Sequence, residues 1–136
     1  MATKVFINLP VKNLSASMDF FQSLGFSINP QFTDDKACCL VVTDSIFVML
    51  LTDAYFKTFI NTELCDAHKS TEVLIALDAA SKEEVEQTIT KALSLGATSY
   101  AQPQDYGWMY QHSFADLDGH RWEFAYMDIS KMPSQE

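Results

Sequence analysis

The 136-residue sequence predicts an α+β domain built of two tandem βαβββ modules, and three observations carry that prediction. An apolar pattern of strand, helix and three further strands occurs twice along the chain. The two helices close on the same tripeptide, Ser23-Leu24-Gly25 and Ser94-Leu95-Gly96. Near the C-terminus two alternating apolar runs flank Asp116-Leu117-Asp118-Gly119, residues that tolerate a tight reversal, so Tyr110 to Tyr126 reads as a β-hairpin. A repeated element order points to internal duplication. Each half is then expected to be a curved four-stranded sheet with one covering helix, open on its concave side around a cavity.

The first module spans residues 3–52. Val5 to Val11 is an apolar run in which Pro10 lacks a ladder donor, which places it at a strand end or sheet edge. Asn13 caps a helix whose apolar residues, Leu14, Met18, Phe21 and Leu24, recur at helical spacing until Gly25 supplies a left-handed stop. Strands follow at Phe26 to Phe32, Ala37 to Thr43 and Ile46 to Thr52. Residues 53–70 read as a connecting helix, Asp53 to Leu64, and a polar linker.

The second module spans residues 71–127. Thr71 to Leu77 is a strand, and Ser81-Lys82-Glu83-Glu84 is a capping box that opens the second helix. Val85, Ile89, Ala92 and Leu93 form its buried stripe. Thr98 to Gln102, Trp108 to Ala115 and Arg121 to Tyr126 complete the strands, and residues 128–136 form a polar tail expected to fray.

Composition excludes several classes of function. A 48% hydrophobic chain of this length supports one domain-sized core and is too apolar for disorder. The net charge of −9, with no Lys/Arg cluster to reverse it locally, opposes binding to nucleic acid or to an anionic membrane. No apolar run approaches the ~20 residues of a membrane span, and the N-terminus has no signal-like core. Cys38, Cys39 and Cys65 leave an odd thiol, which fits a reducing, cytoplasmic setting. The four glycines are too dispersed for a dinucleotide or phosphate loop, and no Cys-x-x-Cys or Gly-x-Ser-x-Gly occurs. Treating Asp116 to Gly119 as part of a calcium loop would put Phe114 first and Ala125 last, so that reading fails.

The run Leu9-Pro10-Val11-Lys12-Asn13-Leu14 before the first helix, together with Asp116-Leu117-Asp118-Gly119-His120-Arg121-Trp122-Glu123, resembles the vicinal oxygen chelate superfamily. That superfamily includes glyoxalase I, bleomycin-resistance proteins and extradiol dioxygenases. The resemblance runs from about Thr3 to Met127 and implies a homodimer with a ligand held between curved sheets. In the metal-dependent members it implies ligands on the first, fourth, fifth and eighth strands, and these positions fall on Phe6, Leu50, Glu72 and Glu123. Phe6 and Leu50 carry no donor atom, so no cofactor is expected; a divalent metal, if bound, would rest on Glu72 and Glu123.

The leading expectation is a small-molecule-binding protein of the glyoxalase/bleomycin-resistance type with a degenerate metal site and an unidentified ligand. The alternative is a glyoxalase-like lyase or isomerase, or a dioxygenase, with a remodelled site in which Glu72 and Glu123 are the catalytic candidates. A third reading is a dimer without ligand chemistry, its pocket filled by Phe6, Leu50 and Met49. The expected pocket comprises Phe6, Asn8, Leu50, Glu72, Trp108, Tyr110, His112 and Glu123. Three of these have a plainer reading. Asn8 can bond local backbone, His112 can belong to an aromatic core with Tyr110 and Phe114, and Glu123 can form an ion pair with Arg121.

Overall fold

In the computed structural model the chain divides into two compact units, Met1–Asp66 and Ala67–Glu136, of which residues 1–134 are described. The first unit contains β1 (Val5–Val11), α1 (Leu14–Leu24), β2 (Ser27–Asn29), β3 (Ala37–Val41), β4 (Ile46–Thr52) and α2 (Asp53–Lys57). Its sheet has the order β1-β4-β3-β2, with β1 parallel to β4 and the other pairs antiparallel. Pro10 therefore lies in an edge strand, where its missing N–H breaks no ladder. The Asn13 side chain accepts from the Ala16 N–H at 3.0 Å, and Gly25, at φ 119°, ends α1 by donating to the Phe21 and Gln22 carbonyls. The helix packs on β3 and β4 and buries Phe20, Phe21, Leu40, Val48 and Leu50 on that side.

The second unit contains β5 (Leu74–Asp78), α3 (Lys82–Ser94), β6 (Gln104–Asp105), β7 (Met109–Ala115) and β8 (Arg121–Met127), in the order β5-β8-β7-β6. Again only the outer pair, β5 with β8, is parallel. The helix α3 packs on β7 and β8, and Val85, Ile89 and Ala92 are buried with Phe114, Trp122 and Phe124. Phe114 stacks with both Trp122 and Phe124. Each buried aromatic removes enough apolar surface from water to contribute ~2–3 kcal/mol. Both units thus have the βαβββ order the repeat predicts, each a four-stranded mixed sheet covered by a helix on one face.

The hairpin turn is held by one buried carboxylate. Asp116 Oδ1 accepts from the N–H groups of Asp118 at 2.9 Å and His120 at 3.0 Å, and Oδ2 accepts from Trp122 Nε1 at 2.9 Å. Gly119 adopts φ 87°, and a Cβ there would lie 2.7 Å from the His68 backbone nitrogen. The turn needs glycine for conformation and for space.

Several boundaries differ from the sequence reading. The strand expected over Phe26 to Phe32 ends at Asn29, because Asn29 caps a 3-10 turn over Pro30–Phe32 and Pro30 occupies its first position. The connecting helix stops at Lys57 rather than Leu64, where the Thr58 hydroxyl donates to the Tyr55 carbonyl. Thr98 makes only a bridge to Ala115, and the strand expected there forms later, as β6. The capping box is offset by one residue: Ser81 caps Glu84, but the Glu84 carboxylate accepts from Ala80. In the tail, Asp128 caps a 3-10 turn over Ile129–Lys131, while the last two residues lie outside the described residues. No helix among the described residues is long and apolar enough to cross a membrane.

Candidate functional site

Strand side chains alternate between faces, so each sheet has one face under its helix and one open face. In the first unit the open face carries Phe6 and Asn8 of β1 beside Phe47 and Met49 of β4, in register. Phe6 is 54% exposed and stacks on Phe47 with ring centroids 4.9 Å apart. Asn8, Ala37, Met49 and Leu51 line an open hollow of about 430 Å³ together with Gln31, Phe32, Thr33, Asp34, Tyr55 and Phe59. Tyr55 and Phe59 meet edge to face at 5.0 Å. Asn8 Nδ2 donates to the Phe6 carbonyl at 3.3 Å, so the local-backbone reading and the pocket-lining reading both describe it.

Leu50 does not line this hollow. It is 0% exposed, on the face under α1 with Val48 and Leu40, and its neighbours Met49 and Leu51 face the hollow instead. The third-reading picture of a pocket filled by Phe6, Leu50 and Met49 loses its central member for the same reason.

In the second unit the open face is set by Arg121, Glu123 and Ala125 of β8. Glu123 lies opposite Ala76 of β5 and Ser113 of β7. Trp122 and Phe124 point under α3, and the register carries Phe114, His112 and Tyr110 to that same covered side. Tyr110 is buried and donates from its hydroxyl to Glu86 of α3 at 3.1 Å; burial, with the Glu86 carboxylate beside it, pushes its pKa up. His112 sits opposite Phe124. Tyr110 and His112 are therefore corrected from pocket to core, the plainer reading given above for His112. Trp108 precedes β7 in a bend, half-buried, and its carbonyl accepts from Asp128 N–H at 2.7 Å.

Glu72 is exposed and lies before β5. It is four residues upstream of Ala76, the partner of Glu123, or about 13 Å along an extended chain. Glu72 therefore lies outside the strand positions that flank Glu123. No ion pair joins Glu123 to Arg121 among the described residues; the Arg121 guanidinium lies over the Tyr100 ring at 4.1 Å from its centroid. The expected ion pair of Glu123 is thereby replaced by a cation–π stack that leaves the carboxylate uncommitted.

These residues do not fit a resident divalent metal. Phe6 and Leu50 have no ligating atom, Glu72 stands off the sheet, and among the described residues no three His, Cys, Asp or Glu side chains come together. Such an ion takes three or four N, O or S ligands in a protein site. Cys38 and Cys39 are buried in β3, where burial pushes the Cys38 thiol up to about 11, and Cys65 is exposed.

The paired βαβββ units and their open faces define a class, and comparison with known proteins agrees. The family described as the glyoxalase/bleomycin resistance protein/dioxygenase superfamily matches residues 5–124, and the chain belongs to it. Among solved structures, a hypothetical protein from S. aureus is 30% identical, with 93% of this chain and 95% of that one aligned at a TM-score of 0.79. A glyoxalase-related enzyme from Fulvimarina pelagi is 16% identical over 93% of this chain and 88% of that one, with a TM-score of 0.77. A fosfomycin resistance protein from Listeria monocytogenes is 18% identical over 100% and 96%, with a TM-score of 0.67. Comparison with curated proteins finds no match.

The sequence reading missed Phe32, Tyr55 and Phe59 at the first hollow and Tyr100, Gln111 and Ser113 on the second open face. Tyr55 and Phe59 were legible as an i, i+4 aromatic pair that amphipathic counting assigns to a core. Tyr100 gave no signal, because its role depends on a guanidinium that is distant in sequence.

Proposed function

We propose that the protein binds a small organic molecule on its open sheet faces without a resident divalent metal. The observation that carries this is the hollow of about 430 Å³ lined by Met49, Leu51, Phe32, Tyr55 and Phe59 together with the polar Asn8, Gln31, Thr33 and Asp34. Its volume lies within the range of small-molecule sites, and apolar surface combined with a few directional polar groups is how such sites fix orientation. The aromatic rim suits a flat or apolar moiety. In this reading the chain works as a cytoplasmic homodimer, as members with open sheets do when a second copy completes the enclosure.

One observation favours a second reading. Glu123 is half-buried on an open face with no hydrogen-bond or ion-pair partner among the described residues, which is how a carboxylate available for acid–base work is held. A metal-independent lyase or isomerase would use it directly.

The test combines metal loading with a ligand screen. Protein purified without chelator is dialysed against nickel, zinc, manganese and ferrous iron, its metal content is measured, and melting is recorded with and without a metabolite and antibiotic library. The expected result is no near-stoichiometric metal and at least one stabilising compound. A ligand at a hundred times its Kd adds about 2.7 kcal/mol, which for a chain of this length raises Tm by ~9 °C. Near-stoichiometric retention that raises Tm and is lost in Glu123→Gln would overturn the metal-free reading.

A further inference from the structure

We infer that the open face of the second sheet receives anionic oxygens, a carboxylate, phosphate or phosphonate of the bound small molecule, on the Arg121 guanidinium. Glu123 accepts a hydrogen bond from a hydroxyl or ammonium group of the same molecule. This rests on the small-molecule reading above and names the chemistry of a ligand of the second unit's own open face.

Arg121 is an unfinished structural interaction. Its Nε is buried and has no hydrogen-bond partner among the described residues, and the guanidinium lies over the Tyr100 ring. A guanidinium has five N–H donors in a planar fork, and the buried Nε–H is one that no protein group among the described residues satisfies. A buried donor left unpaired is costly, and native structures keep such groups where something else will satisfy them. Glu123, two residues along on the same face, could have served and does not. The stack on Tyr100 holds the fork in one plane, which lowers the entropy lost on receiving a planar anion.

Arg121 and Glu123 are each half-buried on this face. Glu123 is flanked by Ala76, Ser113 and Ala125, and Arg121 by Ala115 on one side and Leu74 on the other, so small side chains surround the carboxylate and one apolar side chain borders the guanidinium. They are spaced about 7 Å along the strand, a gap that a short molecule with an acid group next to a donor can span. The overall charge of −9 repels anions at long range. Recognition therefore depends on the local pair of bonds, and a lone anion is a poorer ligand than one that also satisfies Glu123.

The test follows the Arg121 Nε–Hε resonance and the amides of residues 111–115 and 121–125 in ¹H–¹⁵N spectra. The probes are glycolate, acetate, methylphosphonate, inorganic phosphate and neutral glycolamide. Glycolate is expected to move the Arg121 signal saturably and to bind more tightly than acetate, while glycolamide leaves it in place. Arg121→Lys keeps the charge but loses the fork and weakens glycolate roughly tenfold or more. Tyr100→Leu weakens it as well, whereas Tyr100→Phe retains the ring, restores binding, and holds Tm because the Tyr100 hydroxyl has no partner to lose among the described residues. Glu123→Gln removes the advantage of glycolate over acetate.

Shifts that grow linearly with every salt, chloride included, would overturn the assignment, as would an unresponsive Arg121. If Arg121 ignores all anions while neutral compounds still bind an open face, the anion assignment alone fails. If no compound of any charge binds either face, the small-molecule function fails with it.

Discussion

Asp116→Asn tests how the hairpin is held. The side chain is 4% exposed and accepts three hydrogen bonds, two from backbone N–H groups on one oxygen and one from the Trp122 indole on the other. Asparagine has one acceptor oxygen. Either orientation of its amide turns an NH₂ group toward a buried N–H, so at least one donor loses its bond. An unsatisfied buried donor costs about 1–3 kcal/mol, which for 136 residues corresponds to a Tm lower by ~3–10 °C. The pH dependence has a definite sign. Burial pushes the Asp116 carboxyl above its ordinary value, against the opposing effects of the nearby His120 and the hydrogen bonds it accepts. A folded-state pKa raised above the unfolded one contributes stability that is complete below the unfolded value, near 3.8, and is lost as pH rises through the folded value. Asparagine does not titrate, so the stability gap between wild type and variant widens as pH falls from 7 toward 4. Urea unfolding of both proteins at pH 7, 5.5 and 4.5 measures that gap. A variant as stable as wild type at pH 7, or a gap that narrows on acidification, would refute the reasoning.

Gly119→Ala is expected to destabilise by at least about 1–2 kcal/mol from left-handed backbone strain alone, and further because the new Cβ meets backbone atoms of His68 and Ala67 at 2.7 and 2.8 Å, respectively; chemical denaturation reads the loss. Gly25→Ala, at φ 119° with nothing within 4 Å, carries only the conformational part and serves as the paired control. Thiol labelling with a chromogenic disulfide at pH 8 is expected to modify Cys65 quickly and to reach Cys38 and Cys39 only on unfolding, because both are buried and the Cys38 thiolate is disfavoured at a pKa of about 11.

The element order and the two helix caps were legible because they depend on local chemistry. Asn13 and Ser81 cap, and Gly25 stops its helix in the left-handed region, without reference to anything distant in sequence. Boundaries failed where a local competitor outweighed the apolar pattern, as when Asn29 and Pro30 turned an expected strand end into a 3-10 turn. The hollow of the first unit was half legible. Asn8, expected in a pocket with residues of both modules, lines this hollow, whereas Leu50 lies under α1 and its neighbours Met49 and Leu51 line the hollow instead. In an uninterrupted apolar strand such as Phe47 to Leu51, periodicity does not say which alternate set lies beneath the helix.

In the second unit the information was present and decides the matter by register alone. The hairpin closes with Ala115 opposite Arg121, so Ser113 falls opposite Glu123 and His112 opposite Phe124. Residues opposite one another share a face. Glu123 and His112 are therefore never neighbours on one face of this hairpin, and a pocket that includes both as sheet residues is geometrically inconsistent. Which pair is open then follows from the helix. Trp122 and Phe124 must be buried, α3 supplies Val85, Ile89 and Ala92 to bury them, and His112 goes under α3 with them. The open face keeps the hairpin's polar Gln111, Ser113, Arg121 and Glu123 among Met109, Ala115, Ala125 and Met127, while the other side carries the large aromatics with His112. The polar character of the site is thus a direct consequence of the burial of the aromatics, and a shift of the hairpin by one residue would exchange the two faces and place Trp122 where the ligand is proposed to bind.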